Sequence, residues 1–263
     1  MRAAGPLANN RQEAVQVSRK LLEGNKNIAL FLDFDGTLVD ISAAPDAIDV
    51  PAGLPELLAL VSERLEGRLA ILTGRPIASI DRFLSPFRCI AAGAHGAELR
   101  LDPSQSVVLD APPIASSIID AAQQAIRPYE SVTLEVKRTS IAVHYRLCPE
   151  VESPLRRALQ DIVADRPEDL VVLGGRKVFE IIPRGASKGG ALERILSLPK
   201  FEDCCPVAIG DDLTDVTAIE AANRLGGVGL SVGGEYFPAD SANFSGPSDL
   251  RNWLEKLAKG ETS

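Results

Sequence analysis

The stretch Asn27-Ile28-Ala29-Leu30-Phe31-Leu32-Asp33-Phe34-Asp35-Gly36-Thr37-Leu38 does most to restrict what this chain can fold into. Its apolar run, Ile28 to Leu32, leads straight into two carboxylates two positions apart, and a glycine follows at once. A short apolar run bounded by polar residues reads as a strand buried on both faces, the kind found inside a parallel sheet. In an open α/β sheet, ligands bind beyond the carboxyl ends of the strands. Asp33 should therefore project into that crevice, with Asp35 in the turn that Gly36 lets the backbone make. Two acids this close repel unless a cation lies between them or one is protonated, and oxygen ligands in a compact site favour Mg²⁺. The plainer reading, two aspartates capping the next helix, sits poorly with a D-x-D pair directly after an apolar strand.

The same design recurs. Leu69 to Leu72 is a second apolar run, closed by Thr73-Gly74-Arg75-Pro76. The Thr73 hydroxyl and adjacent N–H groups can hold a phosphate oxygen, and Arg75 can pair with it through its forked donors. Pro206 to Ile209 is a third, running into Gly210-Asp211-Asp212-Leu213-Thr214-Asp215. Parallel pairing would bring these three oxygen-rich ends together. Lys188 stands at the start of a predicted helix carrying Leu192, Ile195 and Leu196, where helix-end N–H groups and an ammonium both favour an anion.

Between the second and third runs the pattern changes. Leu99 to Leu109 reads as strands around a Pro103-Ser104 turn, and Ile114 to Ile126 has helical periodicity. Val132 to Val136 and Ser140 to Tyr145 alternate like an antiparallel hairpin. Pro154 to Ala164 is a second amphipathic helix, and Leu170 to Ile182 gives two strands about a Gly174-Gly175 turn. Such a segment is an α+β module distinct from a parallel-sheet core. The predicted fold is α/β: a core over residues 1–99 and 184–263, with an α+β cap inserted at 100–183. Elsewhere the sequence predicts a helix over Arg11 to Leu22 and a loop over Asp40 to Val50. Next come a helix over Pro55 to Arg64 with Leu57, Leu58 and Val61 inward, a strand within Gly226 to Gly234, and a last helix capped by Ser248, running through Trp253, Leu254 and Leu257.

A net charge of -8 with no basic run argues against nucleic acid as a partner. An acidic chain that binds phosphate must concentrate positive charge locally. No apolar run approaches the roughly 20 residues of a membrane span, and Met1 to Leu22 lacks the apolar centre of a secretory signal. Cys89, Cys148, Cys204 and Cys205 form no C-x-x-C pair, and Cys204-Cys205 fall in a predicted buried strand, so reduced thiols in a cytoplasmic protein are expected. With two histidines in the chain, a His-rich metal site is excluded. His95 and His144 read at least as readily as structural hydrogen-bonders as substrate contacts.

The D-x-D-G-T stretch, the strand-closing Thr73, Lys188 and G-D-D-x-T-D, in that order and with an insertion between the second and third, resemble the four motifs of the haloacid dehalogenase (HAD) phosphohydrolases with a C2-type cap. Narrower features resemble the trehalose-6-phosphate phosphatase family over residues 28 to about 258. These are the T-G-R-P turn, Ala92-Gly93-Ala94-His95-Gly96-Ala97-Glu98, Glu135-Val-Lys137 with His144-Tyr145-Arg146, and Gly175-Arg-Lys177-Val-Phe-Glu180 ahead of Lys188-Gly189. The resemblance implies Asp33 as nucleophile, Asp35 as general acid and base, and Thr73 and Lys188 as phosphate holders. It also implies Mg²⁺ held by Asp33, Asp35 and Asp211, and sugar contacts from Glu135, Lys137, Arg146, Lys177 and Glu180. The implied reaction is hydrolysis of trehalose 6-phosphate through an aspartyl-phosphate. Another phosphosugar such as sucrose phosphate, phosphoryl transfer to a second sugar, and a non-catalytic sensor are the alternatives. The sensor is disfavoured because Asp33, Asp35, Lys188 and Asp211 are all present. Where the family often continues its fourth motif with Glu and a nearby Phe, this chain has Val216, Thr217, Ala218 and Ile219.

Overall fold

The computed structural model describes residues 16, 17, 19, 27–42, 48–165, 167–175 and 177–261. Its first half contains β1 (Ile28–Leu32), α1 (Leu54–Arg64), β2 (Leu69–Leu72), α2 (Ile77–Phe83), β3 (Ile90–Gly93), β4 (Glu98–Arg100), β5 (Val108–Leu109), α3 (Ser116–Ile126), β6 (Thr133–Val136) and β7 (Ile141–His144). Then follow α4 (Glu152–Val163), β8 (Leu170–Gly175), β9 (Val178–Pro183), α5 (Lys188–Leu196), β10 (Cys205–Gly210), α6 (Val216–Arg224), β11 (Val228–Ser231) and α7 (Pro247–Lys259).

The continuous apolar run of β1 is explained by its place. It lies inside a sheet of order β11-β10-β1-β2-β3-β4-β5, parallel to β10 on one side and β2 on the other. Alternate residues feed opposite layers: Ile28, Leu30 and Leu32 pack with α1 and α7, and Ala29 and Phe31 with α5 and α6. This two-sided burial is what a βαβ-connected parallel sheet requires. Only the β3–β4 and β4–β5 pairings in this sheet are antiparallel. They extend the larger sheet to Leu109, past residue 99, where the change of module was expected.

A second sheet, β6-β7-β9-β8, is antiparallel throughout. Its Ile141, Val143, Phe179 and Ile181 pack on Ile118, Leu155 and Leu159 of α3 and α4. Glu135 pairs with Ala142, and Ala142 with Glu180. Directly opposed residues share a face, so both glutamates lie on the side away from the helices, with a small alanine between them.

Several local expectations need correcting. β8 runs through Gly174-Gly175, and the chain reverses after Gly175, where Lys177 takes φ +57°. α7 is capped by Gly246 with Pro247 in its first turn, in place of Ser248. Proline suits that position because its missing N–H would have no helical partner and its φ is already helical. α1 buries Leu54 beside Leu58 and Val61, and Leu57 is only partly covered. Cys204 precedes β10 and Cys205 opens it, both half-buried. Of the helix expected over Arg11 to Leu22, positions 16, 17 and 19 are described, all helical, with Val17 buried. The remainder of that helix, and 43–47 of the loop expected over Asp40 to Val50, lie outside the described residues.

Candidate active site

The carboxyl ends of β1, β2 and β10 meet. Asp33 follows β1 and donates its N–H to the carbonyl of Ile209 at 3.0 Å. Asp211 follows β10, and the carboxylates of Asp33, Asp211 and Asp215 offer oxygens within 4.8 Å of one another, all buried. Lys188, at the first position of α5, reaches into this group and donates to Asp33 Oδ1 at 2.5 Å and to Asp215 Oδ1 at 2.6 Å. Its helix is started by Ser187, whose side chain accepts from the Gly190 N–H, so the ammonium is aimed from a fixed end.

The turn after β10 is held from within. Asp215 Oδ2 accepts the N–H groups of Asp211 and Asp212 at 3.1 and 3.0 Å, and the Thr37 hydroxyl donates to Asp211 Oδ1 at 2.9 Å. Gly36, at φ +82°, is packed so tightly here that a Cβ would stand 2.3 Å from Asp211 Oδ2. A side chain at 36 would meet both a disfavoured backbone and a buried carboxylate.

Three buried carboxylates against one ammonium leave two formal negative charges. Burial, with Asp215 and then Asp211 nearby, pushes the Asp33 carboxyl well above its ordinary range, against the pull of Lys188. Burial works against the Lys188 charge, but Asp215 and Asp33 outweigh it and raise that group further, so the ammonium is charged. A buried, oxygen-only, net-negative cluster fits a small hard divalent cation, which would supply the charge that Lys188 alone does not.

Asp35 is turned away from this group. Its carboxylate is gripped by Arg75 through Nε at 2.6 Å and Nη2 at 2.9 Å, a bidentate pair. Arg75 also lies over the Phe83 ring, and its N–H donates to Thr73 Oγ1.

Above these strand ends opens a cleft of about 610 Å³, with the aspartates and Lys188 at its floor and the bare face of the second sheet as its wall. Every residue singled out from the sequence lines it except Thr73, which is buried just beneath. On the wall, Glu180 Oε1 accepts from Lys137 Nζ at 2.5 Å and Oε2 contacts His95 Nε2 at 2.5 Å. Lys137 also donates to the Gly74 carbonyl at 3.2 Å, so both contacts bridge the two sheets. Burial opposes ionisation of Glu180, yet Lys137 and His95 hold its carboxyl far below the usual carboxylate range. Glu135 is paired with His144 at 3.0 Å, and that hydrogen bond lowers its carboxyl.

Arg146 and Lys177 stand apart at the exposed rim, Arg146 donating to the Ser42 carbonyl and Lys177 to Glu152. The sequence left Asp215, Thr37 and His95 without roles. Asp215 had a signal in G-D-D-x-T-D, and His95 in its glycine-flanked A-G-A-H-G-A-E setting.

The sheet order and the second module place the chain among proteins of the haloacid dehalogenase-like fold. Among solved structures, the C-terminal domain of Candida albicans trehalose-6-phosphate phosphatase superposes with a TM-score of 0.81 at 21% identity, over 97% of this chain and 99% of that one. A haloacid dehalogenase-like hydrolase from Bacteroides thetaiotaomicron gives 0.63 at 15% identity, over 88% and 100%.

The family model described as trehalose-phosphatase matches residues 31–242. The chain is 37% identical to the probable trehalose-phosphate phosphatase of Sinorhizobium fredii, over 88% of each chain. It is 35% identical to trehalose-6-phosphate phosphatase of Escherichia coli, over 87% of this chain and 86% of that one. The chain belongs to the trehalose-phosphatase family, whose members are phosphoric monoester hydrolases.

Proposed function

We propose that this protein hydrolyses trehalose 6-phosphate to trehalose and phosphate, with the chemistry at the strand ends and the sugar read by the second sheet. The observation that carries this reading is the shared cleft, in which the buried Asp33–Lys188 pair and Asp211 share one lining with the Glu180–Lys137 pair.

Lys188 occupies Asp33 Oδ1, which leaves Oδ2 to attack phosphorus as the bond to the sugar oxygen breaks. Thr73 and Lys188 hold oxygens of the transferring phosphoryl group. The phosphate competes for Arg75 and so releases Asp35, which takes up a proton from solvent and passes it to the departing sugar oxygen. Asp35 then takes a proton from the water that hydrolyses the aspartyl-phosphate. Asp33, Asp211 and Asp215 would hold Mg²⁺, while Asp35, expected from the sequence to join them, is paired with Arg75 outside that cluster. When bound, the ion supplies the neutralisation that lets two anions meet, worth on the order of 4 kcal/mol per unit-charge contact at about 4 Å. Residues from about 110 to 183 act as the cap that excludes bulk water. No helix among the described residues is long and apolar enough to cross a membrane, and all four cysteines are free, which supports a cytoplasmic setting.

Phosphate release from a panel of phosphosugars, sucrose phosphate included and with no acceptor sugar present, tests substrate and reaction together. Trehalose 6-phosphate should be the preferred member, and no free phosphate without an acceptor would make the chain a transferase. Glu180→Ala should lower kcat/KM for trehalose 6-phosphate at least about tenfold, as expected for losing one charged hydrogen bond. Hydrolysis of p-nitrophenyl phosphate, too small to span the cleft, should change far less. Equal losses on both substrates would sink the assignment of the second sheet as the sugar reader.

A further inference from the structure

We propose that His95 is a positioning residue: from the larger sheet it fixes Glu180 of the second sheet in the orientation that meets the sugar. This rests on the reading of Glu180 as a sugar contact and adds a residue that acts through it.

The ring is placed with unusual constraint. His95 follows β3 at φ +58°, and its neighbours Ala94 and Gly96 also have positive φ. A non-glycine residue in the left-handed region is held there only when its surroundings demand it. Its own N–H donates to the Thr73 carbonyl at 3.0 Å. The ring packs against Gly74, where a Cβ would stand 2.7 Å from both Cε1 and Nε2. Glycine at 74 therefore leaves the space that the imidazole fills, and the ring has little freedom to swing.

The one polar contact this placement secures is with Glu180 Oε2 at 2.5 Å. An ionised carboxylate can only accept, so Nε2 carries the proton. Nδ1 is buried and makes no hydrogen bond. A core histidine kept for stability would have both nitrogens satisfied; here one is left bare so that the other can reach across the junction.

The arrangement leaves Glu180 able to work. Each carboxylate oxygen has two acceptor sites. His95 uses one on Oε2 and Lys137 one on Oε1, so each oxygen can still accept a sugar hydroxyl without moving. Acceptors fixed in advance cost less ordering on binding, so His95 should act on affinity for the sugar and leave the phosphoryl step alone.

The test pairs two substitutions in the intact protein. His95→Asn tolerates the left-handed backbone but stops short of Glu180. His95→Gln places an amide nitrogen about where Nε2 stands. With trehalose 6-phosphate, His95→Asn should raise KM about tenfold, the scale of one charged hydrogen bond, with kcat within about twofold. His95→Gln should recover most of that loss. In a Glu180→Ala background, His95→Asn should add less than about twofold, because the group it holds is gone. If Glu180→Ala alone leaves kcat/KM unchanged, the sugar-reading assignment fails whatever His95 does. If Glu180→Ala is costly but His95→Asn is silent, acts on kcat, or multiplies fully with it, that assignment stands and the positioning role is overturned.

Discussion

Lys188→Met tests the buried bridge most directly, because it keeps an unbranched side chain of similar length and removes the ammonium. Lys188 lies within 2.6 Å of carboxylate oxygens of both Asp33 and Asp215, and all three side chains are at most 5% exposed. Breaking a buried pair by deleting one partner costs about 3–5 kcal/mol. The protein has a second route, which is to protonate a stranded carboxylate. Holding a group with an ordinary value of about 3.9 neutral at pH 7.5 costs about 5 kcal/mol, and at pH 5.5 about 2 kcal/mol. The cheaper route sets the loss, so at pH 7.5 the two estimates agree and at pH 5.5 protonation wins. For a chain of this size about 2–4 °C of Tm accompanies each kcal/mol. Calorimetry in EDTA should therefore show the variant roughly 6–20 °C below wild type at pH 7.5, with the gap about halved at pH 5.5. A gap under 2 °C at pH 7.5, or one that does not shrink on acidification, would refute the view that Lys188 neutralises a buried carboxylate pair.

Asp33→Asn should abolish phosphate release by several orders of magnitude with the fold intact; a variant retaining a tenth of wild-type activity would rule out covalent attack by Asp33. The same variant should melt no lower than wild type in EDTA. A carboxyl raised in the folded state costs stability at any pH above its unfolded value, and Asn removes that cost along with the charge; a fall of several degrees would contradict the raised Asp33. Exhaustive chelation should abolish activity and added Mg²⁺ restore it, and the ion should also raise the Tm of the chelated protein. Full turnover after chelation, or no shift in melting, would remove Asp211 and its neighbours from a metal role.

The strand ends were legible because fully buried strands leave a distinctive trace: Ile28 to Leu32 and Leu69 to Leu72 are apolar without alternation, and each stops where the polar residues of the site begin. β4 and β5, of three and two residues, are too short to show a period, and nothing local says which sheet they join. Gly174-Gly175 looked like a turn because glycine marks turns. In the fold, Gly174 continues β8 with Phe179 and the Arg156 guanidinium close beside it. For the site, residue types and places were readable and their pairing was not. Arg75 looked free to meet phosphate and is clasped to Asp35; Asp215, without a role, shares Lys188; His95, 85 positions from Glu180, touches it. Pairings of this kind depend on how two modules dock, which no local pattern encodes.

That pairing also answers how a chain of net charge -8 can receive a phosphate ester. Arg75, Lys137 and Lys188 have side chains 18%, 9% and 5% exposed, and each is already matched to a carboxylate around one cleft. On the proposed reading an incoming dianion would bind by exchange, drawing Arg75 or Lys188 from a partner. Each carboxylate so released needs a proton or a cation, because an unpaired buried charge costs several kcal/mol. At Asp35 the released group can take the proton that the leaving sugar oxygen needs, and at Asp33 and Asp215 a divalent ion can take up the charge. Both demands would arise from the same exchange, so the ion pairs around the cleft would also set which groups are made ready for reaction when the phosphate arrives.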